Sequence, residues 1–101
     1  MEIVNAVSKV RFASSAAQHV HLARGDGLKV DLICMEAGQK DRSADGPCAY
    51  YVVTGSASIA VGKAAQALPA GHVAHLAPDE HHTISNAGEG RLICLMFRTA
   101  E

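Results

Sequence analysis

Residues 48–62, CAYYVVTGSASIAVG, decide the fold. Cys48 to Thr54 is rich in aromatic and β-branched residues, which favour a pleated strand over a helix. Ser56 to Gly62 repeats the pattern after Gly55-Ser56, so the two runs read as consecutive strands joined at a tight corner. In the first run Cys48, Tyr50, Val52 and Thr54 share one face, while Ala49, Tyr51 and Val53 share the other. Both faces are largely apolar. That is expected when one lines an interior and the other packs against a neighbouring sheet or a partner.

Outward from this pair the same rhythm continues. Short apolar segments at about 18–23, 28–36, 48–54, 56–62, 65–68, 72–77, 82–86 and 91–98 are separated by clusters of Gly, Pro, Asp and Asn. Such spacing marks an all-β sandwich or barrel. Helix is confined to two weak candidates, 13–18 and 63–68, each too short to be stable alone. The last strand, 92–97, is apolar throughout and reads as buried on both sides.

With 101 residues the chain fits one domain around one core. It is 49% hydrophobic and 19% charged, so part of its apolar surface is expected to face a second copy in a homodimer. A formal net charge of −1 without a basic run gives no footprint for nucleic acid. No stretch approaches the roughly 20 apolar residues of a membrane span, and the first residues do not resemble a signal peptide. The reading is a cytoplasmic protein. Cys34 and Cys94 lie in apolar runs and read as buried free thiols.

Two stretches resemble the paired motifs of the cupin superfamily: MEAGQKDRSADGPCAYYVVTGSASIAVG (35–62) and LPAGHVAHLAPDEHHTISNAG (68–88). The resemblance covers about residues 30–98 and implies a single-domain double-stranded β-helix, or jelly-roll, barrel. Residues 1–29 would then supply N-terminal strands on an outer sheet or at a dimer contact. The second motif, G-x5-P-x-G-x2-H-x3-N, holds its spacing from Gly71. His82 falls on the histidine and Asn86 on the asparagine, while Ala77 and Asp79 replace the proline and glycine. The first motif, G-x5-H-x-H-x3–4-E-x6-G, has lost its ligands. Between Gly38 and Gly55 there is no histidine; Cys48 stands at the glutamate, and Asp41-Arg42-Ser43-Ala44 spans the HxH positions.

A transition-metal site wants about three or four converging donors. Only His82 matches the family's set, with Cys48 as a soft replacement and Asp41 or Asp45 able to lean in; Arg42 would repel a cation. The expectation is therefore no cofactor. A small molecule would sit in the barrel cavity against His82, Cys48, Tyr50 and His75, the last if its strand turns it inward. The alternative is a metal-dependent cupin enzyme (dioxygenase, isomerase or decarboxylase) whose divalent transition metal is held by His82 with Cys48. A third reading is an interaction protein with a filled barrel. Cys48 could act as a nucleophile only with His82 within hydrogen-bond reach as its base. His19 and His21 share one strand face and read as surface or interface residues, and His81 should point away from the cavity.

Overall fold

The computed structural model describes residues 1–99. A 3-10 turn at Val7–Lys9 precedes nine strands: β1 Gln18–Gly25, β2 Leu28–Met35, β3 Ala44–Asp45, β4 Cys48–Thr54, β5 Ser56–Val61, β6 Ala64–Pro69, β7 Val73–Leu76, β8 His81–Asn86 and β9 Leu92–Arg98. They form a five-stranded sheet in the order β1-β2-β9-β4-β7 and a four-stranded sheet in the order β3-β8-β5-β6. Neighbouring strands run antiparallel, and the core lies between the two sheets. The architecture is the jelly roll that the sequence implies.

Alternation sorts each strand. On β4, Cys48, Tyr50 and Val52 are buried; on β9, Leu92, Cys94 and Met96 are. They meet Ile33 and Met35 of β2, and Ala57, Ile59, Leu68, Leu76 and Ile84 from β5 to β8. Each large apolar side chain removed from water in this way contributes roughly 1.5–3 kcal/mol before the entropy of ordering it. The outer residues of β9, Ile93, Leu95 and Phe97, are only half-buried, so that strand is dry on one side rather than both.

The corner between β4 and β5 carries the chain from one sheet to the other. Gly55 sits there at φ +93°, and a Cβ would approach the Arg91 carbonyl oxygen to 2.6 Å. Glycine is required there on both counts. The helical candidate at 63–68 is β6, hydrogen-bonded to β5 along its length.

One strand had no apolar signature. β3 is a two-residue piece of the polar 39–47 segment, held by pairing Ala44 with His82 and Asp45 with His81. Pairing, not side-chain pattern, makes it a strand.

The N-terminal strands belong to the larger sheet. β1 is the edge strand of the larger sheet and pairs with β2 across a hairpin, so a division at residues 29 and 30 falls inside β2. Leu32 and Cys34 lie on the outer face of that sheet yet are buried, with the Arg11 backbone against the Cys34 thiol. Cys34, Cys48 and Cys94 are all unpaired and buried. Among the described residues no helix is long and apolar enough to cross a membrane.

Candidate functional site

Three of the four residues expected to line the barrel come together. Tyr50 and Cys48 project inward from β4, and His82 projects inward from β8 in the facing sheet. Their residue exposures are 1%, 4% and 2%. His82 Nδ1 lies 2.9 Å from the Glu80 carbonyl, which only accepts, so Nδ1 carries a proton. Nε2 is left to accept from the Tyr50 hydroxyl at 2.8 Å. The rings meet edge-on at 5.5 Å. Cys48 Sγ stands 3.6 Å from the same Nε2, a weaker third contact.

Burial decides the chemistry of this group. It pushes the Tyr50 hydroxyl well above the ordinary phenol range, with the neighbouring Cys48 charge a lesser cause. It raises the Cys48 thiol too, against a smaller lowering effect from Tyr50. Both groups therefore hold their protons. Cys48 lies near its prospective base, but that base already accepts from Tyr50, and a desolvated thiol is a poor nucleophile.

The same observations test the donor set a cupin metal would need. One imidazole lone pair is taken by a hydroxyl, and the adjoining thiol and phenol resist the anionic forms that ligate cations. Asp41 turns instead to His19, and Asp45 pairs with His81 on the surface at 2.7 Å. No group of three or more His, Cys, Asp or Glu side chains among the described residues is arranged to hold a metal ion. The residues present do not fit a resident metal.

His75 is not brought to this group. The β4–β7 register sets Leu76 opposite Cys48 and Ala74 opposite Tyr50, which turns His75, opposite Ala49, outward and exposed. Both faces of its strand carry apolar residues, so alternation alone did not say which face is inside. Asn86 has a scaffolding role: its amide donates to the Met35 and Gly90 carbonyls and accepts from the Gly88 N–H. It closes the turn after β8.

Two open clefts flank the core, and neither is lined by His82, Cys48 or Tyr50. At the β6–β7 edge a cavity of about 580 Å³ is lined by Ile59, Val61, Leu68, Ala74 and Leu76, with Gln66, His72, His75 and Glu80 among its polar residues. At the β1 edge a cavity of about 510 Å³ is lined chiefly by charge: His19, His21, Lys29, Asp31, Lys40, Asp41, Arg42 and Arg98.

The charged cleft is built around Asp31, whose side chain is 2% exposed. It accepts from His19 Nε2 at 2.8 Å, His21 Nδ1 at 3.1 Å and Arg98 Nη2 at 3.3 Å, with Lys29 Nζ at 3.9 Å. His19 Nδ1 reaches Asp41 at 3.2 Å. A ring between two carboxylates satisfies both only when both nitrogens carry protons. The His19 pKa is accordingly raised, first by its hydrogen bond to Asp41, against burial and with help from Asp31. Burial works against both carboxylates, yet their bonds to histidine hold Asp31 and Asp41 below the usual range.

His19 and His21 lie on the face of the sheet that carries Asp31; His21 is exposed there, as expected of a surface residue, and His19 is half-buried. The register sets His21 directly opposite Asp31, and a bulge follows it. A signal was present in the sequence. An aspartate inside the apolar run KVDLICM must be paired if buried, and the hairpin at Gly25–Gly27 brings the HVH run beside it.

No family model and no curated protein matches the sequence. Solved structures do match in fold. The TT1209 protein of Thermus thermophilus superposes with a TM-score of 0.87 over 99% of this chain and 97% of its own, at 20% identity. An uncharacterized conserved protein with a double-stranded beta-helix domain from Klebsiella pneumoniae gives 0.85 over 100% and 98%, at 20% identity. A cupin superfamily protein from Desulfitobacterium hafniense gives 0.78 over 93% and 86%, also at 20%. The chain has the cupin fold.

Proposed function

We propose that this chain is a metal-free cupin-fold binding protein that takes a small, mainly apolar molecule in the cleft at the β6–β7 edge. The observation that carries the reading is that cleft. Its volume, about 580 Å³, falls within the range of roughly 300–1,000 Å³ usual for small-molecule sites. Its wall sets apolar side chains beside Gln66, His72, His75 and Glu80, with polar and apolar surface in nearly equal share, a mixture that fixes orientation and still admits apolar groups. Ala74 and Leu76 on that wall are cross-strand neighbours of Tyr50 and Cys48, and the Glu80 that lines it gives its carbonyl to His82. The buried trio thus stiffens the cleft from behind rather than touching what enters it.

The binding unit in this reading is a cytoplasmic homodimer. Tyr51, Val53 and Val73 stand exposed on the outer face of the five-stranded sheet, and Tyr51 pairs directly with Val73. Side-by-side apolar residues on a sheet face are costly to leave in water and suit a second copy.

The test uses Nile red as an apolar probe. Saturable fluorescence enhancement that Ala67→Trp abolishes, by filling the cleft from an exposed position, supports the reading. Enhancement unchanged by that substitution overturns it, as does stoichiometric transition metal in untagged protein that disappears in His82→Ala. The dimer is tested by sedimentation, with Val73→Glu expected to give monomer; a monomeric parent chain removes that part.

A further inference from the structure

The cleft at the β1 edge has a different chemistry, which does not depend on the apolar site. We propose that it is a second binding site, for a small organic dianion such as a phosphate monoester or a dicarboxylate, gripped by Lys29, Lys40, Arg42 and Arg98.

The charge balance carries the inference. With His19 doubly protonated between its two carboxylates, five cationic groups line the cleft against Asp31 and Asp41, an excess of three positive charges on a chain of formal net charge −1. Depth then separates the two signs. The Asp31 and Asp41 side chains are 2% and 12% exposed and already spent on the histidines. Lys40 and Arg42 are exposed, and Lys29, Arg98 and His21 are 27%, 29% and 51% exposed along their side chains. An entering molecule therefore meets cations first. The carboxylates act beneath them as a scaffold that holds positive charge in place.

Two further features fit a bound anion. Lys29 and Arg98 are opposite each other in the β2–β9 register, a like-charge pair that is unfavourable without shared negative charge. Asp31 supplies one such charge from below, and a dianion would supply more from above. Arg98, which lines the cleft with a side chain 29% exposed, has a buried Nε without a hydrogen-bond partner among the described residues. A guanidinium donor so placed suits an oxyanion, whose oxygens match the planar fork.

The segment carrying Lys40 and Arg42 is also preorganised. Asp41 N–H donates to the Ile84 carbonyl and Asn86 N–H to the Gln39 carbonyl, tying residues 39–41 to β8. Little ordering remains to be done on binding. With about 510 Å³ the cleft exceeds what inorganic phosphate needs, which leaves room for an organic body.

The experiment measures thermal stability and calorimetric binding on the full chain at low ionic strength, with inorganic phosphate and succinate as probes. A saturable rise in Tm with either, beyond that of potassium chloride at matched ionic strength, is expected, since a ligand of the folded state stabilises it in proportion to occupancy. Phosphate alone points to phosphate monoesters and succinate alone to dicarboxylates. The double variant Lys40→Ala/Arg42→Ala should weaken Kd at least tenfold. Lys9→Ala/Lys63→Ala, which removes the same charge elsewhere on the exposed surface, should leave Kd within twofold. Failure of both probes to bind saturably overturns the proposal, and so does equal weakening by the two double variants. Ala67→Trp should not alter phosphate or succinate binding, so the two sites stand or fall separately.

Discussion

Two histidine groups lie on the inner faces of one barrel, and they differ in charge: one ring is neutral, the other cationic. His82 sits between a carbonyl that only accepts and a hydroxyl that can donate, so its ring needs one proton. His19 sits between two carboxylates that only accept, so its ring needs two. Each is largely or wholly withdrawn from water; the partners set the charge. The difference teaches that a buried histidine in this fold is read from what its two nitrogens face, not from its place in a motif. The motif histidine is the scaffold member, and the histidines outside any motif build the charged cleft.

That contrast can be broken at its centre. Asp31→Ala leaves His19, His21, Lys29 and Arg98 without the carboxylate that gathers them. By analogy with buried ion pairs deprived of one partner, the loss should be about 3–5 kcal/mol, read from urea unfolding. A loss below about 1 kcal/mol would mean that the cluster is solvated and not a buried network. On the uncharged side, Tyr50→Phe removes only a hydroxyl and leaves Nε2 of His82 with no strong donor. About 1–3 kcal/mol should be lost in the same assay. If the cost is negligible, Cys48 has taken over the contact.

Acidity separates the two groups further. His19 has a folded pKa above its ordinary 6.5, so its contribution is fully present below about 6.5 and fades as pH rises through the folded value. Asp31 and Asp41 have folded pKa values below 3.8, so theirs is present above about 3.8 and fades as pH falls through the folded values. Stability from the cluster should therefore be greatest between about pH 4 and 6.5. His19→Gln should flatten the alkaline decline in a pH series of unfolding curves; an unchanged slope would place that titration elsewhere. Tyr50→Phe should leave the slope alone. The smallest effect belongs to the exposed pair His81–Asp45, whose side chains are 67% and 70% exposed. Asp45→Asn should shift stability by less than about 1 kcal/mol. A larger cost would show that β3 depends on that pair as well as on its backbone pairing.

Much of this molecule was legible before folding. The eight apolar strands, the glycine corner at Gly55 and the shared face of Cys48, Tyr50 and Val52 follow from period-two alternation and turn chemistry, which are local properties; that this face is the inner one, and that His82 and Asn86 keep their spacing from Gly71, is what the cupin resemblance implies. The cupin resemblance set His82, Tyr50 and Cys48 around one cavity, but that they bond to one another appears only in the structure. Tertiary structure alone decided the rest. β3 exists through its pairing with β8, and His75 faces outward because of the β4–β7 register. The charged cleft joins His19 to Asp31, Asp41 and Arg98, which lie 12, 22 and 79 positions further along the chain. The physical reason is the same each time. Alternation tells which residues share a face of one strand, whereas charge and burial depend on which strands come together, and that is settled only by register across the sheet.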